Sequence, residues 1–263
     1  MNTITTSVNT SRIRMAAFWL TTGIIALETG VGAIWDLQKI TFVRTVFVQL
    51  GFPEYVLTIM GIWKLLGVLF LLIPGFPRLK EWVYAGLFFV YTTAFASHLV
   101  TGQPSAAVGP FIFAGLTLAS WALRPASRRD FGPLFSNFSG SWRTTTLYWI
   151  ATAFIVFQLG SGGIGDIVLP AALVEGMTHL GYPVYFCVIL GIWKVAGAIA
   201  IVVPRYPRLK EWAYAGAFFD LTGAAASHGF LGDPAAKLIV PLIFAVLVLV
   251  SWALRPVSRR ELA

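Results

Sequence analysis

The stretch that decides the fold reads Pro-Arg-Leu-Lys-Glu-Trp at positions 77–82, and the same six residues return at positions 207–212. Other blocks recur at nearly the same spacing: Gly-Ile-Trp-Lys at 61–64 and 191–194, Ser-His at 97–98 and 227–228, and Ser-Trp-Ala-Leu-Arg-Pro at 120–125 and 251–256. A long period shared by several blocks indicates two copies of one folding unit. The chain is therefore expected to be a tandem duplication.

The composition predicts that the chain lies in a membrane. Apolar residues make up 57% of it and charged residues only 11%, whereas a soluble domain carries roughly 25% charged residues. The apolar runs lack the alternation of barrel strands, so we expect helices, which need about 20 apolar residues to span a bilayer. The eight expected spans are 15–35, 55–73, 82–100, 105–123, 146–164, 184–203, 212–230 and 238–254.

The distribution of charge predicts the orientation. Most of the 19 Lys and Arg residues fall on one side of the expected spans, which the positive-inside rule assigns to the cytoplasm together with both termini. Each half holds an even number of spans, so the halves are expected to be parallel repeats. The net charge of +8 is then explained by topology and lipid headgroups, and we expect the lipid bilayer, and no nucleic acid, as a partner.

This organisation gives five segments. The first and second four-helix repeats are joined by a basic cytoplasmic linker, and a short basic segment lies at each end. Their expected bounds are 1–14, 15–123, 124–145, 146–254 and 255–263. The one cysteine, Cys187, lies inside a span, so a Cys-x-x-Cys thiol redox centre is excluded.

Two lysines, Lys64 and Lys194, fall near the centres of the second span of each half. A charge at mid-membrane costs about 2.5–3.5 kcal/mol in insertion experiments, so each lysine is expected to have a partner. Glu28 in the first half and Asp220 in the second lie at similar depth, on different helices. We expect Lys64 to pair with Glu28 and Lys194 with Asp220. Such pairs either fix helix register alone or handle protons or anions.

A second set of polar residues is predicted near the outer ends of the spans. Asp36 and His98 in the first half, like Asp166 and His228 in the second, are brought to similar depth by helix polarity. An Asp–His pair can orient an imidazole for proton transfer or for hydrogen bonding to a quinone carbonyl. Alternatively, the histidines cap their helices at the headgroup level. The chain has only three histidines, too few to predict a metal site.

The repeated hexapeptide itself is interpreted as structural. Glu81 and Glu211 open the third span of each half, where a carboxylate complements the helix dipole. Neighbouring Arg and Lys side chains are expected to pair with it.

A further set of blocks carries a family resemblance. In the second half these blocks are residues 160–166 (Gly-Ser-Gly-Gly-Ile-Gly-Asp), 180–183 (Leu-Gly-Tyr-Pro), 191–194, 207–216 and 226–228 (Ala-Ser-His). Together they resemble the DoxX-like family of small four-span bacterial membrane proteins, here fused as a pair. The resemblance covers nearly the whole chain. The first half departs from it at Val90, where the second has Asp220, and at Trp35, where the second has Gly165.

The resemblance implies four-helix units in a bacterial inner membrane. The family takes its name from a subunit linked to thiosulfate oxidation and quinone reduction, which implies a redox-accessory role with quinone as candidate cofactor and other membrane redox proteins as partners. Paired intramembrane charges and parallel repeats instead favour a small-solute or proton transporter. A non-catalytic scaffold that binds membrane proteins or lipid is the third expectation. The sequence alone does not decide whether the protein is an enzyme.

Overall fold

The computed structural model describes residues 2–125, 128–129, 141–256 and 259, with side chains from Arg12 onward. Over these residues the chain forms ten α-helices and no strand. The helices are α1 (Asn2–Gln38), α2 (Thr41–Leu50), α3 (Tyr55–Leu72), α4 (Pro77–Val100), α5 (Pro104–Leu123), α6 (Trp142–Val168), α7 (Ala171–His179), α8 (Val184–Val202), α9 (Pro207–Phe230) and α10 (Ala235–Leu254).

Seven of these helices are long and apolar enough to cross a membrane. They are α1 from Arg12, α3, α4, α5, α6, α8 and α10. The eighth expected span corresponds to α9, which has 24 residues but is not apolar enough over a stretch of span length, where it carries Asp220. The protein is therefore a multi-pass α-helical membrane protein, with seven of the eight expected spans supported by length and composition.

Two short helices interrupt the expected pattern. α2 has 10 residues and α7 has 9, about half the length that a span requires. Each follows the first long helix of its repeat and leads into the second. The sequence analysis missed both because it searched for apolar runs of span length.

The described chain divides into two compact units that do not coincide with the two repeats. One unit comprises residues 1–40 and 60–131, and the other comprises 41–59 and 132–263. α2 and the first turn of α3 thus belong to the unit that holds the second repeat. The expected linker 124–145 and the tail 255–263 lie largely outside the described residues.

Matched contacts hold the α2 segment within the second unit. The Tyr55 hydroxyl donates to the Leu180 carbonyl at 2.7 Å, and the Tyr185 hydroxyl donates to the Leu50 carbonyl at 2.7 Å. Tyr55 and Tyr185 occupy equivalent positions in the two repeats, as do Leu50 and Leu180. The turns that follow α2 and α7 therefore bind one another through the same pair of residue types in both directions.

The lysine of the repeated hexapeptide caps a neighbouring helix. Lys80 Nζ donates to the carbonyls of Phe70, at 2.8 Å, and Ile73 at the end of α3. Lys210 Nζ does the same at the end of α8, reaching the Ala200 carbonyl at 2.8 Å. The last four carbonyls of a helix have no partner within the helix, and a cation is favoured there by the helix dipole. Burial of these lysines is thus compensated by the helix ends they cap.

The glutamate of the hexapeptide joins it to the Ser-Trp-Ala-Leu-Arg-Pro block of the same half. Glu211 Oε1 lies 2.5 Å from Arg255 Nη2, and the Trp252 indole donates to Glu211 Oε2 at 2.7 Å. In the first half Glu81 makes the same contacts with Arg124, at 2.6 Å, and with Trp121. Each glutamate thus has a cation that the hexapeptide does not supply. The strong partner comes from the end of the fourth long helix of the repeat.

A hydroxyl cluster lies beside each of these ion pairs. Ser251 Oγ contacts the Thr152 hydroxyl at 2.7 Å and the Tyr214 hydroxyl at 2.8 Å. The equivalent first-repeat residues, Thr22, Tyr84 and Ser120, are connected in the same way. Each cluster links the first, third and fourth long helices of its repeat. The shared motifs are therefore explained by the packing of each four-helix unit.

We predict that Arg255→Met destabilises the protein by about 3–5 kcal/mol, because it leaves the buried Glu211 carboxylate without its cation. The measurement is thermal or denaturant unfolding of the detergent-solubilised protein. Arg44→Met is the matched control: the Arg44–Glu54 pair is about half exposed, so its loss is expected to cost no more than about 1 kcal/mol. Equal effects of the two substitutions would contradict this assignment.

Candidate functional site

The candidate site is formed where the first and second long helices of each repeat cross. In the second repeat a methyl group placed on Gly191 would lie 2.6 Å from the Gly163 carbonyl oxygen and 2.9 Å from Asp166 Cβ. A methyl group on Gly163 would meet the Gly191 carbonyl and Lys194 Cβ, both at 2.9 Å. The backbones of α6 and α8 are thus in direct contact, as small residues permit in membrane helices.

This crossing brings a lysine and an aspartate together. Lys194 follows Gly191 by three residues and Asp166 follows Gly163 by three, so each charged residue lies on the same helix face as its glycine. Lys194 Nζ lies 2.9 Å from Asp166 Oδ2. Side chains in helices lean toward the N-terminus, so in two helices of opposite direction the two side chains lean toward each other.

The first repeat builds the same pair from slightly different residues. Lys64 Nζ lies 2.7 Å from Asp36 Oδ2. Here Ala33 takes the place of Gly163, and a methyl group on Gly61 would lie 2.7 Å from Leu37 Cγ and 3.1 Å from the Ala33 carbonyl. Close approach of α1 and α3 therefore accompanies the ion pair in this repeat too.

A second carboxylate completes each site, and the two repeats supply it from different helices. In the second repeat Asp220 on α9 lies 3.4 Å from Lys194 Nζ. In the first repeat Glu28 on α1 lies beside Lys64: a methyl group on Gly32 would be 3.6 Å from Lys64 Nζ and 4.0 Å from Glu28 Oε1. Asp220 therefore lies within ion-pair distance of Lys194, whereas Lys64 forms its ion pair with Asp36 and has Glu28 nearby, around Gly32.

Glu28 has its own hydrogen-bond donors, which the second repeat lacks. The Tyr91 hydroxyl donates to Glu28 Oε2, and the Thr29 hydroxyl lies 3.4 Å from the same oxygen. Where the first repeat has Glu28, Thr29 and Tyr91, the second has Gln158, Leu159 and Leu221. The carboxylate and its donors are therefore replaced as one group.

These sites remain partly accessible. The side chains of Lys64 and Lys194 are 17% and 16% exposed, and that of Asp220 is 17% exposed. Asp36 and Asp166 are more deeply buried, at 4% and 8%. The lysine side of each site therefore lies closer to the protein surface than the aspartate within the helix crossing.

The expected Asp–His pairs at the outer ends are corrected by this arrangement. Asp36 and Asp166 contact the lysines, because the helix crossing places them there. His228 instead contacts Asp233, its Nδ1 lying 2.7 Å from Asp233 Oδ2. His98 Nδ1 is buried without a hydrogen-bond partner among the described residues.

Asp233 is the centre of a polar cluster that the sequence analysis missed. His179 Nε2 lies 2.9 Å from Asp233 Oδ1, and Lys237 Nζ lies 3.5 Å from the same oxygen. The hydrogen bond with His228 is the largest effect and, with that of His179, holds the pKa of Asp233 at about 2 against the opposing effect of desolvation. Asp233 follows His228 by five residues, across the turn between α9 and α10. The short α7 ends at His179 and supplies the second imidazole.

Within the described part of the chain, no group of three or more His, Cys, Asp and Glu side chains has the arrangement of a metal site. Cys187 is buried in α8. The candidate chemistry of the described residues is thus that of hydrogen bonds and ionisable groups.

The chain is thus a multi-pass membrane protein with a duplicated four-helix unit. Each copy has one lysine–carboxylate site at a helix crossing. Residues 20–120 and 150–251 each match the model of the DoxX-like family. The chain belongs to the DoxX-like family, as a tandem duplication. None of the curated proteins and none of the solved structures matches it.

We predict that Gly191→Ala destabilises the protein by about 1–3 kcal/mol, because the added methyl group meets the Gly163 carbonyl and Asp166. The midpoint of thermal unfolding in detergent measures this effect. Gly197→Ala on the same helix is the control, since a methyl group there meets nothing within 4 Å. That substitution is expected to stabilise the helix by roughly 0.5–1 kcal/mol. Similar responses at the two positions would rule out the backbone contact.

We predict that the Asp233 cluster weakens in strong acid. Because the folded pKa of Asp233 is depressed, its contribution to stability is complete above its unfolded pKa of about 3.9 and is lost as the pH falls toward about 2. Unfolding midpoints of the native protein and of Asp233→Asn are therefore expected to differ at about pH 5 and to converge at about pH 2. A difference that stays constant over this range would show that the carboxylate does not interact with its neighbours as described.

Proposed function

We propose that this protein binds and releases protons within the membrane, at the two lysine–dicarboxylate sites. The observation that carries the proposal is the position of Lys194 Nζ, 2.9 Å from Asp166 and 3.4 Å from Asp220. One ammonium group faces two carboxyl groups, so the fully ionised site has one excess negative charge. Burial disfavours such an excess, and the smallest ion that removes it is a proton.

The first repeat supports the same proposal with a different arrangement. Lys64 is paired directly with Asp36, while Glu28 takes hydrogen bonds from Tyr91 and Thr29. The site again contains one ammonium group and two carboxyl groups. A purely structural ion pair needs only one carboxylate, so the second carboxylate in both repeats favours a group that changes its protonation state.

Partial exposure of the sites supports exchange with water or with a bound molecule. The exposed fractions of Lys64, Lys194 and Asp220 are small but not zero. Residues that only fix helix register gain nothing from exposure, whereas an exchangeable proton requires a path. The most accessible members of each site are thus those at which proton exchange is proposed.

The proposed setting is a bacterial inner membrane, with both termini in the cytoplasm, as the distribution of Lys and Arg favours. Proton binding there fits two of the expected roles. A quinone- or sulfur-linked redox accessory protein would deliver protons to a partner, because reduction of a quinone consumes them. A proton or small-solute transporter would carry them across. A scaffold has no need of an exchangeable proton.

The proposal predicts a protonated carboxyl group in each repeat near neutral pH. Infrared spectra of the protein in lipid nanodiscs, recorded with labelled Asp and Glu, measure it directly. Asp220→Val gives the second repeat the residue found at position 90 and is expected to remove its protonated carboxyl band. Glu28→Gln gives the first repeat the residue found at position 158 and is expected to remove the other. The exposed Glu54→Gln is the control.

A spectrum without protonated carboxyl groups near pH 7, or one unchanged by both substitutions, would favour the scaffold. The two remaining roles are separated by activity. Proton flux into liposomes that disappears in Lys194→Met and Asp220→Val supports transport. Saturable quinone quenching of tryptophan fluorescence, lost in Lys194→Met or in a histidine variant such as His228→Ala, supports the redox role.

A further inference from the structure

The Ser-His block that ends the third long helix has different surroundings in the two repeats. In the second repeat both side chains have partners. Ser227 Oγ lies 2.9 Å from the Tyr182 hydroxyl and donates to the Gly223 carbonyl at 2.8 Å. His228 Nδ1 lies 2.7 Å from the Asp233 carboxylate.

In the first repeat the same two atoms have no partners. Ser97 Oγ and His98 Nδ1 are buried and make no hydrogen bond with any described residue. Ser97 is 0% exposed and His98 is 7% exposed. A buried polar atom without a hydrogen bond costs about 1–3 kcal/mol. Two such atoms on neighbouring residues are therefore open to a partner other than the described residues.

The two repeats differ in the side chain carried by the turn that follows the histidine, which is Gln103 in the first repeat and Asp233 in the second. The Gln103 backbone N–H donates to the His98 carbonyl at 2.8 Å, as the Asp233 N–H donates to the His228 carbonyl at 3.1 Å. The same backbone hydrogen bond therefore closes both turns, and positions 103 and 233 are equivalent in the two repeats. The first repeat thus keeps the imidazole but lacks the carboxylate that binds it in the second.

We propose that the first repeat binds the carboxylate of a membrane-soluble acid, such as a long-chain fatty acid, at His98 and Ser97. The second repeat identifies the chemistry, because there a carboxylate occupies the equivalent place. The surroundings account for an apolar tail: Leu99, Val100 and Phe111 are 46%, 61% and 62% exposed and face outward along this end of α4 and α5. The carboxyl group of such an acid would bind His98 and Ser97 at the helix end, and its hydrocarbon tail would lie along the exposed apolar side chains.

This proposal does not depend on proton binding at the lysine sites. It makes the repeats functionally unequal, since the second repeat carries its own carboxylate and the first takes one from the ligand. The proposed ligand also differs from a quinone: the acid presents a charged carboxylate to the His98 imidazole, whereas a quinone would present a neutral carbonyl. Quinone and fatty acid are therefore compared in one experiment.

The experiment measures binding of oleate to the full-length protein in detergent micelles by isothermal titration, with a short-chain quinone as the second probe. One oleate per chain is expected. His98→Phe is expected to weaken binding roughly tenfold or more, the effect of losing a hydrogen bond to a charged group. His228→Phe, the equivalent change in the second repeat, is the control and leaves oleate binding unchanged.

Two reciprocal substitutions test the carboxylate itself and do not remove the histidine. Gln103→Asp places a carboxylate beside His98 and is expected to abolish oleate binding while leaving the protein folded. Asp233→Gln removes the carboxylate from His228 and is expected to raise the stoichiometry from one oleate to two. Oleate binding that survives Gln103→Asp, an absence of binding by the native protein, or binding of the quinone alone would overturn the proposal.

Discussion

Each lysine–aspartate site depends on the close approach of two helix backbones at the point where the helices cross. At Gly163 and Gly191 the α6 and α8 backbones touch, and at Ala33 and Gly61 the α1 and α3 backbones approach almost as closely. A lysine inside a membrane needs a partner within reach of its own length. The crossing supplies that partner, because the aspartate and the lysine each follow the contact residue by three positions. The two ends of the Gly-Ile-Trp-Lys block thus act together: the glycine allows the two helices to approach, and the lysine binds the aspartate that this approach brings near.

The two repeats keep this device but complete it differently. The second carboxylate comes from α1 in the first repeat, with Thr29 and Tyr91 as its donors, and from α9 in the second, where Asp220 approaches the lysine directly. What is common to the two sites is their content of one ammonium and two carboxyl groups, not the helix that provides them. An arrangement needed only for packing would be tied to particular helices. A common balance of charge on different helices supports the proposal that each site exchanges a proton.

Much of the fold could be predicted from the sequence, because span length and charge distribution are properties of single segments. The contacts between side chains of different helices could not be predicted, because the depth of a residue along a helix does not tell which side of the helix it lies on. Asp36 was placed at the depth of His98, yet it faces Lys64, since the crossing at Gly61 turns it there. Glu81 likewise binds Arg124, which follows another helix and which the hexapeptide alone does not reveal. The sequence does contain a signal for this ion pair, because the block with Glu81 and the block with Arg124 both recur with their charged residues unchanged. α2 and α7 were missed because they are too short to resemble spans.

The distribution of differences between the repeats separates support from binding. The Glu–Arg–Trp contacts and the hydroxyl clusters use the same residue types in both copies. A group that stabilises a four-helix unit is needed in every unit, so both copies retain it. A group that binds a ligand is needed only where the ligand binds. The repeats differ in the second carboxylate and at the outer helix ends, where Gln103 stands in place of Asp233 and His98 Nδ1 has no hydrogen-bond partner among the described residues. Contacts common to both repeats thus account for the packing of the four-helix units, and the polar residues in which the repeats differ are candidates for functions that the two repeats do not share.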